Sequence, residues 1–135
     1  MAFDWKELLD LARFLQAQAG SQVAREPALR GAISRAYYGA FCYVRNYARD
    51  RLGFQPRNSP EDHGRLRAYL KKGKTQVLSE RLDDLRQWRN ECDYWDELPF
   101  DLTLQATLAI ESASRIFVAL PQPPSSGPPN KGSGP

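Results

Sequence analysis

Apolar residues recur three and four positions apart along most of the chain, the period of one face of an α-helix, and no stretch alternates apolar with polar residues as a strand would. The first such stretch carries Leu8, Leu9, Ala12, Leu15 and Ala19 on one side. Asp4, with Glu7 three residues on, reads as a capping box at its start, and Gly20 closes it. The second covers residues 27–52, with Ile33, Ala36, Tyr37, Ala40, Phe41, Val44 and Ala48 in register and Gly53 as its stop. A break follows, FQPRNSPEDHG, in which Ser59 is the natural N-cap and Pro60 the first residue of a short helix reaching Leu70. Gly73 separates that piece from a third long helix over residues 75–95. Pro99 and Asp101 then mark the restart into a fourth, carrying Leu102, Ala106, Ala109, Ala113, Ile116 and Leu120.

These stretches predict an all-α fold, an antiparallel up-and-down four-helix bundle over residues 1–120 with one short extra helix between the second and third long helices. Residues 121–135, PQPPSSGPPNKGSGP, have almost nothing to bury and are expected to form a disordered tail. Composition agrees with one domain: 135 residues, 41% of them hydrophobic, suffice for a single core. No apolar run is long enough to span a membrane, and the start lacks a basic stretch followed by an apolar signal core. A cytoplasmic protein with no membrane partner is the expectation.

Cys42 and Cys92 lie far apart without metal-type spacing, and both fall within helical patterns as reduced core or half-core residues. One histidine and two distant cysteines cannot furnish a zinc site, and the isolated glycines form no phosphate-cradling loop. No metal and no organic cofactor is expected. The net charge of +3 is modest, but its distribution is uneven. Between His63 and Ser79 the bases Arg65, Arg67, Lys71, Lys72 and Lys74 occur without an acid, whereas Glu91, Asp93, Asp96, Glu97 and Asp101 occur without a base. Such a segment either attracts phosphate or is simply one solvated face.

The position that resists the pattern is Arg89. Counting back in helical steps gives Leu85, Leu82 and Leu78, and counting forward gives Cys92, so a charge occupies an apolar stripe. A guanidinium buried there without partners would cost several kcal/mol, on the order of the penalty for any uncompensated buried ion. Asp93, one turn on, can hold it, and Tyr38 and Arg35 would face it if the second and third long helices are neighbours. Held by a carboxylate at a cleft, it is a fork for two phosphate oxygens. Held in a closed core, it is a structural salt bridge.

Three segments resemble one family. ISRAYYGAFCYVRNYA (residues 33–48) is similar to the second helix of HEPN-domain proteins, RNECDY (89–94) to their third-helix motif, and DHGRLRAYL (62–70) to the piece between, which a histidine commonly opens. The resemblance covers everything but the tail. It implies a helical bundle, usually a homodimer, often paired with a nucleotidyltransferase in toxin–antitoxin or defence systems, and in many members a metal-independent RNase. In that chemistry the motif arginine steadies the phosphate, and a histidine four to six positions later moves protons as the ribose 2′-hydroxyl attacks.

This chain keeps Arg89 and Asn90 but has Tyr94 where that histidine would stand, closer to the Arg-x-x-Ala-Asp-Tyr pattern of another HEPN branch, with Cys92 replacing the alanine. A phenol holds its proton near neutral pH and is a poor general base. The expected site is therefore a cleft engaging RNA or a nucleotide. In it Arg89 binds phosphate, Asp93 orients that arginine, Asn90 and Tyr94 supply hydrogen bonds, and His63 is the only candidate proton carrier. Arg35 and Tyr38 would contribute from across the cleft, and Arg65, Lys71, Lys72 and Lys74 would flank it. The alternative is a non-catalytic module that docks a partner protein such as a nucleotidyltransferase.

Overall fold

Among the described residues the periodicity resolves into five α-helices, α1 (Lys6–Gln18), α2 (Arg25–Arg51), α3 (Asp62–Leu70), α4 (Gln76–Tyr94) and α5 (Leu102–Ala119), with a 3-10 turn at Gly73–Thr75 leading into α4. The computed structural model describes residues 2–121, and the expected tail beyond Pro121 lies outside them. The fold is all-α, as the pattern of apolar positions requires. No helix among the described residues is long and apolar enough to cross a membrane.

Helix α2 is the hub. It packs against α1, α4 and α5, while α3 lies on α4. Its core face is unusually small: Ala32, Ala36, Ala40 and Ala48 are wholly buried, which lets three helices approach one axis. Gly39 marks the tightest approach, since a Cβ there would stand 3.0 Å from the carbonyl oxygen of Trp5 and 3.1 Å from Leu8 Cβ. Around this hub Leu9, Ile33, Leu66, Leu82, Leu85 and Ile116 are almost completely buried. Each contributes roughly 1.5–3 kcal/mol of apolar transfer free energy. Bonds from Arg13 Nη2 to Ser114 Oγ and from Gln16 Nε2 to Thr107 Oγ1 show that α1 and α5 run antiparallel.

The helix ends agree with the sequence reading in part. Asp101 caps α5 by accepting the Leu104 N–H at 3.1 Å. The expected capping box at α1 is not formed: the helix is capped at Trp5 without a side-chain bond, and the Asp4 carboxylate accepts the Lys6 N–H at 3.1 Å instead of that of Glu7. The cap expected at Ser59 is absent: α3 begins at Asp62, and Ser59 turns its hydroxyl to Glu61. The buried carboxylate of Asp62 takes over the task. It reaches back to accept the N–H groups of Arg57 and Asn58 at 2.9–3.1 Å and receives Arg65 Nη1 at 2.7 Å. This closes a turn in which Asn58 has φ 55°, a conformation asparagine tolerates better than most residues.

Candidate anion-binding cleft

Helices α2 and α4 lie side by side, and the 54–61 connection with the start of α3 closes over one end of their groove. The result is a cleft of about 640 Å³, lined by Tyr38, Phe41, Cys42 and Arg45 from α2 and by Arg86, Arg89, Asn90 and Tyr94 from α4. Asn58, Ser59, Pro60, Asp62 and His63 form its third wall.

Arg89 sits on the floor, 7% exposed, on the same helical stripe as Leu82 and Leu85. Its guanidinium carbon lies 5.4 Å from the ring centroid of Tyr37 and 5.2 Å from that of Tyr38, so two aromatic faces stabilise the charge. Asp93 Oδ2 approaches Arg89 Nη1 to 3.6 Å, an ion pair but too long for a good hydrogen bond. Arg89 Nε is buried and has no partner, and the same is true of Arg86 Nε one turn earlier. A buried N–H that bonds to nothing is costly, and each of these two belongs to a guanidinium whose residue lines the cleft.

His63 is held by geometry on every side. Its ring stacks on Phe41 with centroids 4.0 Å apart and planes 13° apart, and Nδ1 bonds to the Tyr37 hydroxyl. Desolvation, with help from the charges of Arg89, Arg86 and Arg67, lowers its pKa from 6.5 to about 4 against the opposing charge of Asp62, so the ring is neutral at pH 7. Burial pushes the Tyr37 phenol well above its ordinary value.

The structure brings Arg89, Asn90, Tyr94, His63 and Tyr38 together around one cleft. Asp93 pairs with Arg89, and the Arg35 guanidinium lies 5.2 Å from the Tyr38 centroid, but neither residue lines the cleft. The basic segment, expected to flank the cleft, contributes nothing to its lining. Arg65 is committed to Asp62 and to the Gln55 carbonyl, and Lys71, Lys72 and Lys74 are exposed around the 3-10 turn, none lining the cleft. Both cysteines are buried and unpaired. Burial raises the Cys42 thiol and, more strongly, that of Cys92, to about 11, so neither is a ready thiolate.

Sequence reasoning missed Arg86 and Arg45. The signal for Arg86 was present: it stands three residues before Arg89 and four before Asn90, which puts all three toward one side of a helix. Arg45 carried none, because its place depends on how α2 meets α4. Also missed was Arg30, which donates to the carbonyls of Cys92, Trp95 and Asp96 at 2.9, 2.6 and 3.0 Å. It thereby fixes the exit of α4 and with it Asp93 and Tyr94.

Chemically the cleft is rich in donors and poor in acceptors. Three guanidiniums and two amides line it, and its one lining carboxylate, Asp62, is already occupied by Arg57, Asn58 and Arg65. No group of His, Cys, Asp and Glu among the described residues could hold a metal ion. No protein-family model, no curated protein and no solved structure matches the chain.

Proposed function

We propose that the protein is a HEPN-type helical bundle that engages RNA or a nucleotide through the Arg89 cleft, working as a homodimer in a toxin–antitoxin or defence setting. One observation carries the ligand chemistry. The buried Nε–H groups of Arg86 and Arg89 are both unpartnered beside a cleft whose only carboxylate is taken. A phosphate oxyanion in the cleft offers acceptors to these incompletely satisfied guanidiniums, whose forks match its geometry. The 73%-exposed ring of Tyr94 offers a stacking face for a base beside that phosphate.

The test is fluorescence anisotropy with a labelled single-stranded RNA at fixed salt, comparing the wild type with Arg86→Ala and Arg89→Ala of checked fold. Loss of about tenfold or more in each variant supports the reading, since each removes a charge-assisted contact. Equal affinity in both would contradict it.

A second reading is favoured by the exposure of Tyr94 and of Trp95, 51% exposed, at the end of α4. In it the chain is a non-catalytic module that presents these rings to a partner protein such as a nucleotidyltransferase. RNA binding would then be weak, governed by salt alone and indifferent to Arg89.

A further inference from the structure

The Tyr37 side chain is 1% exposed, and among the described residues its hydroxyl bonds only to His63 Nδ1. A buried hydroxyl must give its hydrogen to something, and Nδ1 is the acceptor within reach. If Nδ1 accepts, the neutral imidazole carries its single hydrogen on Nε2. We propose that His63 acts in the cleft as a hydrogen-bond donor to the phosphate of the bound RNA or nucleotide, through an Nε2–H whose tautomer Tyr37 fixes, and not as a proton-abstracting base.

The proposal rests on the phosphate reading of the cleft and deepens it. Around His63, α2 contributes Tyr37, Tyr38 and Phe41, and α4 contributes the charges of Arg86 and Arg89. Its own helix adds Asp62 and Arg67. The Asp62 carboxylate is occupied by Arg65 and two backbone N–H groups, and Arg67 donates to the His63 carbonyl and pairs with Asp83 at 3.2 Å. Among the described residues around the ring, no free carboxylate is left to turn it into the opposite tautomer or to relay a proton from it. Nε2 has no partner among the described residues, and the residue lines the cleft. His63 thus adds to the guanidiniums and amides that line the cleft a further donor, one that brings no charge. It leaves the cleft without a group to take the proton of a ribose 2′-hydroxyl, so the bound RNA stays intact.

Because His63 is the only histidine in the chain, its ring nitrogens can be read without assignment. Long-range proton–nitrogen correlation spectra of the free, histidine-labelled full chain at pH 7 are expected to show a bare Nδ1 and a protonated Nε2. In Tyr37→Phe, with the buried donor gone, the ring is expected to populate both tautomers. A dominant bare Nε2 in the wild type overturns the proposal. Anisotropy with the labelled RNA supplies the second readout. His63→Leu is expected to weaken binding by about tenfold, and the conservative His63→Gln, whose amide can place an N–H where Nε2–H was, to rescue most of that loss. Cleavage of the RNA in EDTA by the wild type, abolished in His63→Gln at unchanged affinity, would establish the base role instead. Absence of RNA binding in the wild type would remove the phosphate reading and this donor role with it, while the spectrum of the free protein still reports the tautomer separately.

Discussion

Arg89 and Asp93 stand one turn apart on α4 with Nη1 and Oδ2 separated by 3.6 Å, and the arginine's buried Nε faces no acceptor. An arginine retained to lock the fold would be tightly paired; this one is loosely paired and half-satisfied. Replacing it by an apolar chain of similar length removes a costly buried charge along with two cation–π contacts, effects of opposite sign. Arg89→Met is therefore expected to shift the melting temperature by no more than about 4 °C, corresponding to about 1 kcal/mol. A fall of 10 °C or more in a thermal melt would mark the arginine as structural and favour the docking module.

The Tyr37 hydroxyl tethers α3 to α2 through His63. In Tyr37→Phe the ring volume stays and one buried bond goes, leaving Nδ1 without its donor. The expected cost is about 1–2 kcal/mol in urea unfolding, with an unchanged slope. A neutral substitution would mean that the bond contributes nothing to holding α3 in place.

Asp62 organises the whole third wall of the cleft, accepting from Arg57, Asn58 and Arg65 while 3% exposed. The net of these contacts holds its carboxyl below its ordinary pKa, despite the opposing effect of burial, which is the largest single influence. Asp62→Asn halves the acceptor capacity and strands Arg65. Destabilisation of about 3 kcal/mol and faster amide exchange over residues 54–63 are expected. Protection equal to wild type over those residues would show that the loop is held by other contacts.

His63 gives the stability a pH dependence with a definite sign. Its folded pKa, about 4, lies below the 6.5 of the unfolded chain, so between these values the unfolded state binds the extra proton. The contribution is complete above pH 6.5 and is lost as the pH falls toward 4. His63→Gln removes this component, so the gap in melting temperature between wild type and variant is expected to shift in the variant's favour from pH 7 to pH 4.5. A gap independent of pH over that window would contradict the neutral, desolvated imidazole.

Gly39 leaves no room for a methyl group against the Trp5 carbonyl oxygen at 3.0 Å. Gly39→Ala should raise helix propensity yet destabilise, by about 1–3 kcal/mol, because backbone on α1 must move. Stabilisation on chemical denaturation would show that α1 is free to shift.

The helices were legible because their apolar spacing is long and regular: Leu78, Leu82, Leu85 and Arg89 announced both α4 and the anomaly on it. Asp101 and the glycines at the helix ends were equally plain. The start of α3 was misplaced because Ser59–Pro60 is a good local cap, whereas Asp62 satisfies three donors from before and after it in the chain. Within the site, helical period alone singled out Arg89 and its neighbour Asp93, and Asn90 and Tyr94 were joined to them only through the resemblance of RNECDY to a known motif. Tyr37 could not be assigned to His63, nor Arg45 to the cleft, because those relations arise where α2 meets α3 and α4. The Lys71–Lys74 cluster does not line the cleft, because charge density along a sequence does not say which way a turn faces.

The most direct test of the central claim follows the arginine Nε–H resonances of the isotope-labelled protein, assigned with Arg86→Lys and Arg89→Lys, as a short single-stranded RNA is added at constant salt. The Arg86 and Arg89 signals are expected to move most, together with the backbone amides of residues 58–63 and 89–94. Shifts confined to Lys71, Lys72 and Lys74, or to the rings of Tyr94 and Trp95 with both Nε–H signals unmoved, would contradict an anion-binding cleft centred on Arg89.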